Sequence, residues 1–234
     1  MAEHAILFDL DGTLLDHEGA VTAAIADFRK GQPLFEELSL EEFHAVWFAL
    51  EETYYNRYLA GEITFQEQRM LRMKELHASI GVRLEDEEAV QLFSHFLQLY
   101  RSHWKLFDDV LPLLRELKHV PLGVITNGEH DTQFLKLQSL GIEADFRFFI
   151  ASGRVGCAKP NKEIFEWASQ EADVPIHQCV YIGDRFHTDA VGSQEAGMKG
   201  IWLNRKLTDM EDLQGITVIY SLTEVPSILE KFIE

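Results

Sequence analysis

Short runs of apolar residues recur along the chain at 5–8, 122–126, 148–151, 180–183, 200–203 and 217–220. Runs this short, apolar at nearly every position instead of every second one, predict strands buried on both faces of a sheet. From Asp108 onward they alternate with stretches of helical character at 110–118, 129–140, 162–171 and 188–196. Alternation of this length predicts βαβ units and a parallel sheet. Gly141 and Gly197 stand where helix C-caps belong. Ser221 with Glu224, and Thr208 with Glu211, have the capping-box spacing that marks helix starts.

Residues 14–103 carry a different pattern. Strand signals almost vanish there, and Ser39 with Glu42 and Thr64 with Glu67 supply two further capping boxes. Phe43, Trp47, Leu50, Tyr54 and Tyr58 recur at helical spacing and form an apolar stripe, read as helical core in preference to a substrate platform. Gly61 and Gly81 punctuate the helices. The expectation is an α/β domain formed by residues 1–13 and 104–234, interrupted after its first strand by an all-helical insertion, 14–103.

Length and charge narrow the function classes. The 234 residues suit one α/β domain with an insertion. The chain holds 39 acids against 21 bases, for a net charge of −18. That balance argues against nucleic-acid polymers and anionic membrane surfaces as partners, because both need a basic patch. An anionic substrate would require positive charge supplied within the site. Cys157 and Cys179 form no metal-ligand pattern and no disulfide framework. Met1-Ala2-Glu3-His4 does not open a signal peptide, and no apolar stretch approaches the roughly 20 residues that span a bilayer. The expectation is a cytoplasmic protein, monomeric or homodimeric.

In an open parallel sheet, ligands bind beyond the carboxyl ends of the strands. The polar residues expected on that rim are Asp9 and Asp11 after the first strand, Thr126-Asn127-Gly128 after the second, Lys159 in a later loop, and Asp184 with Asp189 after the strand through Ile182. Taken singly, each has a plain alternative: Asp before Gly forms turns, a loop lysine is solvated, and an aspartate at a helix start answers the macrodipole. Their joint arrival at successive strand ends favours a site. Two carboxylates as close as Asp9 and Asp11 repel each other unless a cation lies between them. His17, His130 and His187 lie near these residues and are read as surface histidines.

The ordered set Asp9-Leu10-Asp11-Gly12-Thr13, Thr126, Lys159 and Gly183-Asp184 to Asp189 resembles the haloacid-dehalogenase-like (HAD) phosphohydrolases, across nearly the whole α/β part. The resemblance implies a Rossmann-like parallel sheet flanked by helices, with 14–103 as a helical cap. It implies Asp9 as a nucleophile that forms an aspartyl-phosphate, and Asp11 as the acid that protonates the leaving oxygen and then the base that activates water. Mg²⁺ is implied on Asp9, the Asp11 backbone carbonyl and Asp184, with Asp189 orienting water or Lys159 from behind. Thr126, the Asn127 amide and Lys159 would bind the phosphoryl oxygens.

An acid at Asp11 favours phosphate esters over haloacids, because halide leaves without a proton. The segment Tyr54 to Ile63 followed by Arg69 resembles the cap of the pyrimidine 5′-nucleotidase and N-acylneuraminate-9-phosphatase subgroup. This points to a small phosphorylated metabolite such as a nucleoside 5′-monophosphate, with Arg57, Arg69 and Arg72 as candidate contacts to a base or sugar acid; their alternative is helix-surface charge. Asp109 departs from the family's Pro-Gly turn at the core-to-cap connection. A phosphomutase of the β-phosphoglucomutase type shares all four motifs, and a non-catalytic phosphate- or partner-binding module is the third reading.

Overall fold

The computed structural model describes residues 4–210, 212–213 and 215–233. Met1, Ala2 and Glu3, and Glu211 of the Thr208–Glu211 pair, lie outside the described residues. In chain order the elements are β1 (Ala5–Phe8), α1 (His17–Lys30), α2 (Leu40–Leu59), α3 (Phe65–Ala78), α4 (Asp86–Ser102), α5 (Val110–Glu116), β2 (Leu122–Thr126), α6 (His130–Leu140), β3 (Phe148–Ala151), α7 (Ser152–Val155), α8 (Lys162–Ala172), β4 (Cys179–Gly183), α9 (Gly192–Glu195), β5 (Lys199–Leu203), β6 (Thr217–Ile219) and α10 (Val225–Ile233). The chain divides into two units, one of residues 1–16 with 105–234 and one of His17–Trp104.

In the first unit six strands form one sheet in the order β3-β2-β1-β4-β5-β6, and each neighbouring pair is parallel. This is the parallel sheet that the apolar runs predict, in the α/β Rossmann-like arrangement that the resemblance implies. β1, β2 and β4 are buried at every position, as strands covered by helices on both faces must be. The order reverses at β1: β2 and β3 extend to one side, β4 to β6 to the other. That reversal opens a crevice beyond the carboxyl ends of β1 and β4. The expected helix at 188–196 differs in detail. It starts as a π-helical turn over Phe186–Val191 before α9, and the wider turn carries Asp189 inward, where the site uses it.

The unit's chain leaves and returns side by side. Leu15 bridges Leu106, and the Asp16 amide donates to the Lys105 carbonyl at 3.0 Å. Leu14 and Leu15 are fully buried, so the division observed falls after Asp16 and before Lys105. Asp109 lies on this side of the division. It accepts from both Arg205 Nη atoms at 2.8 Å, the Ser221 hydroxyl at 2.9 Å and the Leu222 amide at 2.9 Å. Burial raises its pKa, but these donors outweigh it and hold the carboxyl below the ordinary value.

The second unit consists of α1 to α4, with both predicted capping boxes formed at Ser39 and Thr64. Its core is aromatic: Phe28, Phe35, Phe43, Trp47, Phe93, Phe96 and Tyr100 are buried together. Trp47 lies 4.2 Å from Phe96 and Phe35 lies 4.8 Å from Phe43, in tilted and edge geometries that favour ring pairs. Among the described residues no helix is long and apolar enough to cross a membrane.

Candidate active site

β1 is hydrogen-bonded between β2 and β4, so the residue after Phe8 emerges at the centre of the sheet. Asp9 is fixed there by its amide, which donates to the Ile182 carbonyl at 2.9 Å. Gly12 turns the following loop with a φ of +89°, and a β-carbon at that position would overlap the Asp184 carboxylate. Only glycine meets both demands, and its absent side chain is what lets the ends of β1 and β4 approach. Gly183, at the end of the neighbouring strand β4, also leaves room for a close approach: a β-carbon there would collide with Asp189.

Lys159 is the hub of the buried charges. Its Nζ donates to Asp9 Oδ1 at 2.6 Å, Asp189 Oδ1 at 2.7 Å and the Tyr181 hydroxyl at 2.7 Å. The Lys159 side chain is 3 % exposed, Asp9 8 % and Asp189 1 %, so solvent screens these contacts little. Burial disfavours the ammonium, but Asp189 and Asp9 overcome it and keep its pKa well above the ordinary lysine value. Burial pushes the Asp9 carboxyl up to about 6, Lys159 opposing and Asp189 reinforcing the shift. Asp184 is raised well above the carboxylate range by burial and by the like charges of Asp9 and Asp189.

Asp9, Asp184 and Asp189 each offer a carboxylate oxygen, and the three lie within 4.8 Å of one another. Their commitments differ. Both Asp189 oxygens are engaged, Oδ1 by Lys159 and Oδ2 by the Arg185 amide at 3.0 Å. Asp184 Oδ1 is buried with no hydrogen-bond partner among the described residues, while the indole of Trp202 pins its backbone carbonyl at 2.9 Å. A bare buried carboxylate oxygen beside two other acids fits a hard cation with oxygen ligands.

Asp11 occupies a second environment. Lys136 Nζ donates to its two oxygens at 2.7 and 2.6 Å, and Gln133 Nε2 donates to Oδ2 at 2.8 Å. Gln133 also donates to Thr126 Oγ1 at 2.6 Å. Asn127 points elsewhere. Its amide pairs with the backbone of Lys159 in both directions, Nδ2 to the carbonyl at 2.9 Å and Oδ1 from the amide at 2.8 Å. The asparagine thus ties the β2 loop to the Lys159 loop.

The structure brings Asp9, Asp11, Thr126, Asn127, Lys159, Asp184 and Asp189 into one connected set. Gln133, Lys136 and Tyr181 belong to it and were not anticipated. Tyr181 carried a signal, since a tyrosine in a doubly buried strand needs a partner for its hydroxyl; it donates to the Ile125 carbonyl at 2.9 Å. His187 is exposed as expected, and His17 instead meets the Tyr100 hydroxyl at 2.7 Å.

Arg57, Arg69 and Arg72 belong to the helical unit. Arg57 pairs with Glu62 at 3.0 Å and lies 5.4 Å from the centre of the Tyr54 ring. Arg69 covers Phe65 at 4.4 Å. Arg72 is buried against Trp47 and Phe93 and bonded to Glu51 at 3.0 Å, which makes it core instead of surface charge or an open contact.

Comparison with known proteins follows the same lines. N-acylneuraminate-9-phosphatase of Homo sapiens is 28 % identical over 97 % of this chain and 93 % of its own length. Pyrimidine 5′-nucleotidase YjjG of Escherichia coli is 27 % identical over 97 % of both chains. Glyceraldehyde 3-phosphate phosphatase of Methanopyrus kandleri is 36 % identical, but the match spans 47 % of this chain and 48 % of that protein. In three dimensions the HAD-hydrolase YfnB of Bacillus subtilis, described as bound to magnesium, matches with a TM-score of 0.83 over 98 % of this chain and 99 % of its own, at 24 % identity. The model of the haloacid dehalogenase-like hydrolases matches residues 3–197. The chain belongs to the haloacid dehalogenase-like hydrolases.

Proposed function

We propose that this protein is a Mg²⁺-dependent phosphomonoester hydrolase acting on a small phosphorylated metabolite through an aspartyl-phosphate. One observation carries the reading: Asp9 and Asp11, two residues apart, stand in separate environments, Asp9 on Lys159 and Asp11 on Lys136 and Gln133. Two carboxylates distinguished in this way suit two roles in one reaction. Asp9 Oδ attacks phosphorus, and the bond from phosphorus to the leaving oxygen breaks as Asp11 gives that oxygen a proton. Water then attacks the same phosphorus, Asp11 takes its proton, and the bond to Asp9 breaks to release inorganic phosphate. Dehalogenation would need no such acid.

Lys159, Thr126 and the backbone amide of Asn127 would receive the phosphoryl oxygens, with Lys159 as the local positive charge that the net charge of −18 requires. Asp189, with both oxygens engaged, orients Lys159. Asp9, the Asp11 backbone carbonyl and the bare oxygen of Asp184 would hold Mg²⁺, which would supply Lewis-acid stabilisation of phosphoryl charge. The helical unit is read as the cap that selects the substrate. The names of the two relatives matched along their length, a nucleotidase and a sugar-acid phosphatase, make nucleoside 5′-monophosphates and sugar-acid phosphates the first compounds to assay.

The test is phosphate release with Mg²⁺ from nucleotides, sugar phosphates and glycolate-type phosphates, with glucose-phosphate isomerisation followed in parallel to expose a mutase. Wild type should release phosphate. Asp9→Asn should lose at least about a thousandfold in kcat with its circular dichroism unchanged. Turnover retained by Asp9→Asn overturns the assignment.

A further inference from the structure

We propose that Lys136 and Gln133 are positioning residues: Lys136 orients the carboxylate of Asp11 for proton transfer, and Gln133 couples Asp11 to Thr126. The inference rests on the phosphatase reading and extends it to two residues that no sequence motif singled out.

An aspartate on a loop rotates about two bonds, and an acid acts only within hydrogen-bond reach of the atom it protonates. The Asp11 side chain is 25 % exposed and has room to turn. It is nevertheless gripped by Lys136, at 2.7 and 2.6 Å, and by Gln133, at 2.8 Å. Lys136 and Gln133 are themselves 4 % exposed and stand three residues apart on α6, hence on one face. Burying an ammonium costs stability unless a partner compensates it, and Asp11 is such a partner at 2.6 Å. Its charge also offsets the negative field at the end of β1, where Asp9 stands.

Gln133 acts on a second atom. Its amide nitrogen carries two hydrogens, one for Asp11 Oδ2 and one for Thr126 Oγ1, the latter at 2.6 Å. The opposite amide orientation would set Oε1 against the carboxylate, acceptor to acceptor, so the hydrogen-bond network dictates the assignment. Thr126 therefore accepts from Gln133, and its own hydrogen is left to donate to a phosphoryl oxygen. Proton donor and phosphoryl cradle are held by a single side chain.

The experiment compares p-nitrophenyl phosphate, whose leaving group needs no acid, with glycerol phosphate, whose leaving group does. Lys136→Met should lower kcat on glycerol phosphate about a hundredfold and on the aryl ester by less than about fivefold. Lys136→Arg, which keeps charge and donors, should restore most of that ratio. Gln133→Leu should shift the ratio in the same direction and also weaken competitive inhibition by inorganic phosphate about tenfold, the worth of one hydrogen bond to a charged group. Thermal melts establish that each variant is folded, and if Lys136→Met does not fold the other two variants carry the ratio. Equal slowing of both esters, or an unchanged ratio, overturns the inference while the phosphatase reading stands. A wild-type protein that turns over neither these esters nor the screened metabolites overturns both.

Discussion

Arg72 in the helical unit and Lys159 in the α/β unit are both buried cations facing carboxylates, but their surroundings differ in kind. Arg72 has one acid among the described residues, Glu51 at 3.0 Å, with the Gln68 amide oxygen at 3.5 Å and two aromatic faces, Trp47 at 5.3 Å and Phe93 at 5.6 Å. Its charge is balanced, and the rest of its neighbourhood is packing. Lys159 meets Asp9 and Asp189 directly, with Asp184 beside them carrying an oxygen that nothing described satisfies. There the acids outnumber the cation. A balanced buried pair is compatible with a purely structural role, whereas a buried excess of one charge must be relieved by a proton, a further ion or a ligand and marks a candidate functional site. The contrast separates scaffold from site without reference to any motif.

The sharpest way to break that comparison is to delete each cation. Lys159→Met should lower kcat at least about a thousandfold, and at pH 7 it should cost about 3–5 kcal/mol of stability by leaving buried carboxylates uncompensated. Denaturant melts and turnover read both effects. Next in size is the response to metal. Mg²⁺ at a hundredfold excess over its Kd should stabilise the wild type by about 2.7 kcal/mol. Asp184→Asn should melt higher than wild type without metal and gain nothing when Mg²⁺ is added. A full Mg²⁺-dependent gain in Asp184→Asn would remove Asp184 from the ligand set.

Arg72→Met should cost about 1–2 kcal/mol, less than the lysine because Glu51 is 22 % exposed and can turn to solvent. Its kcat/KM should stay within about threefold of wild type. A large rise in KM with an unchanged melting temperature would make Arg72 a substrate contact and dissolve the contrast.

The pH dependence of the metal-free protein tests the α/β unit alone. The Asp9 pKa is about 6 when folded against 3.8 for the ordinary group. The folded state therefore binds this proton more tightly, and the stability it contributes is complete below pH 3.8 and lost as pH rises through 6. Asp9→Asn should lack that part of the slope between pH 4 and 6.5. Parallel melting profiles for the two proteins would contradict a buried, raised carboxyl at Asp9.

Much of the α/β unit was legible because its central strands are apolar at nearly every position, so the first polar residue marks where each ends. Asp9, Thr126 and Asp184 were placed at strand ends in that way. Lys136 and Gln133 were not, since a lysine in an amphipathic helix reads as solvated and periodicity does not say which turn of a helix abuts a loop far away in sequence. Arg72 failed for the opposite reason. Its alternative reading was helix-surface charge, whereas it is buried against Trp47 and Phe93. The π-helical turn at Phe186–Val191 leaves no periodic trace, because it is set by how closely Gly183 and Asp189 approach.

The hydrogen bond from Asp16 to Lys105, beside the Leu15–Leu106 bridge, has a consequence beyond the geometry of one loop. For the sheet, everything between those two residues is a detour that begins and ends at the same place. Strand order, register and the loops that carry the polar residues are set without reference to the detour's length or composition. Such a chain is free to rewrite the whole passage while the sheet and the loops at its strand ends stay put.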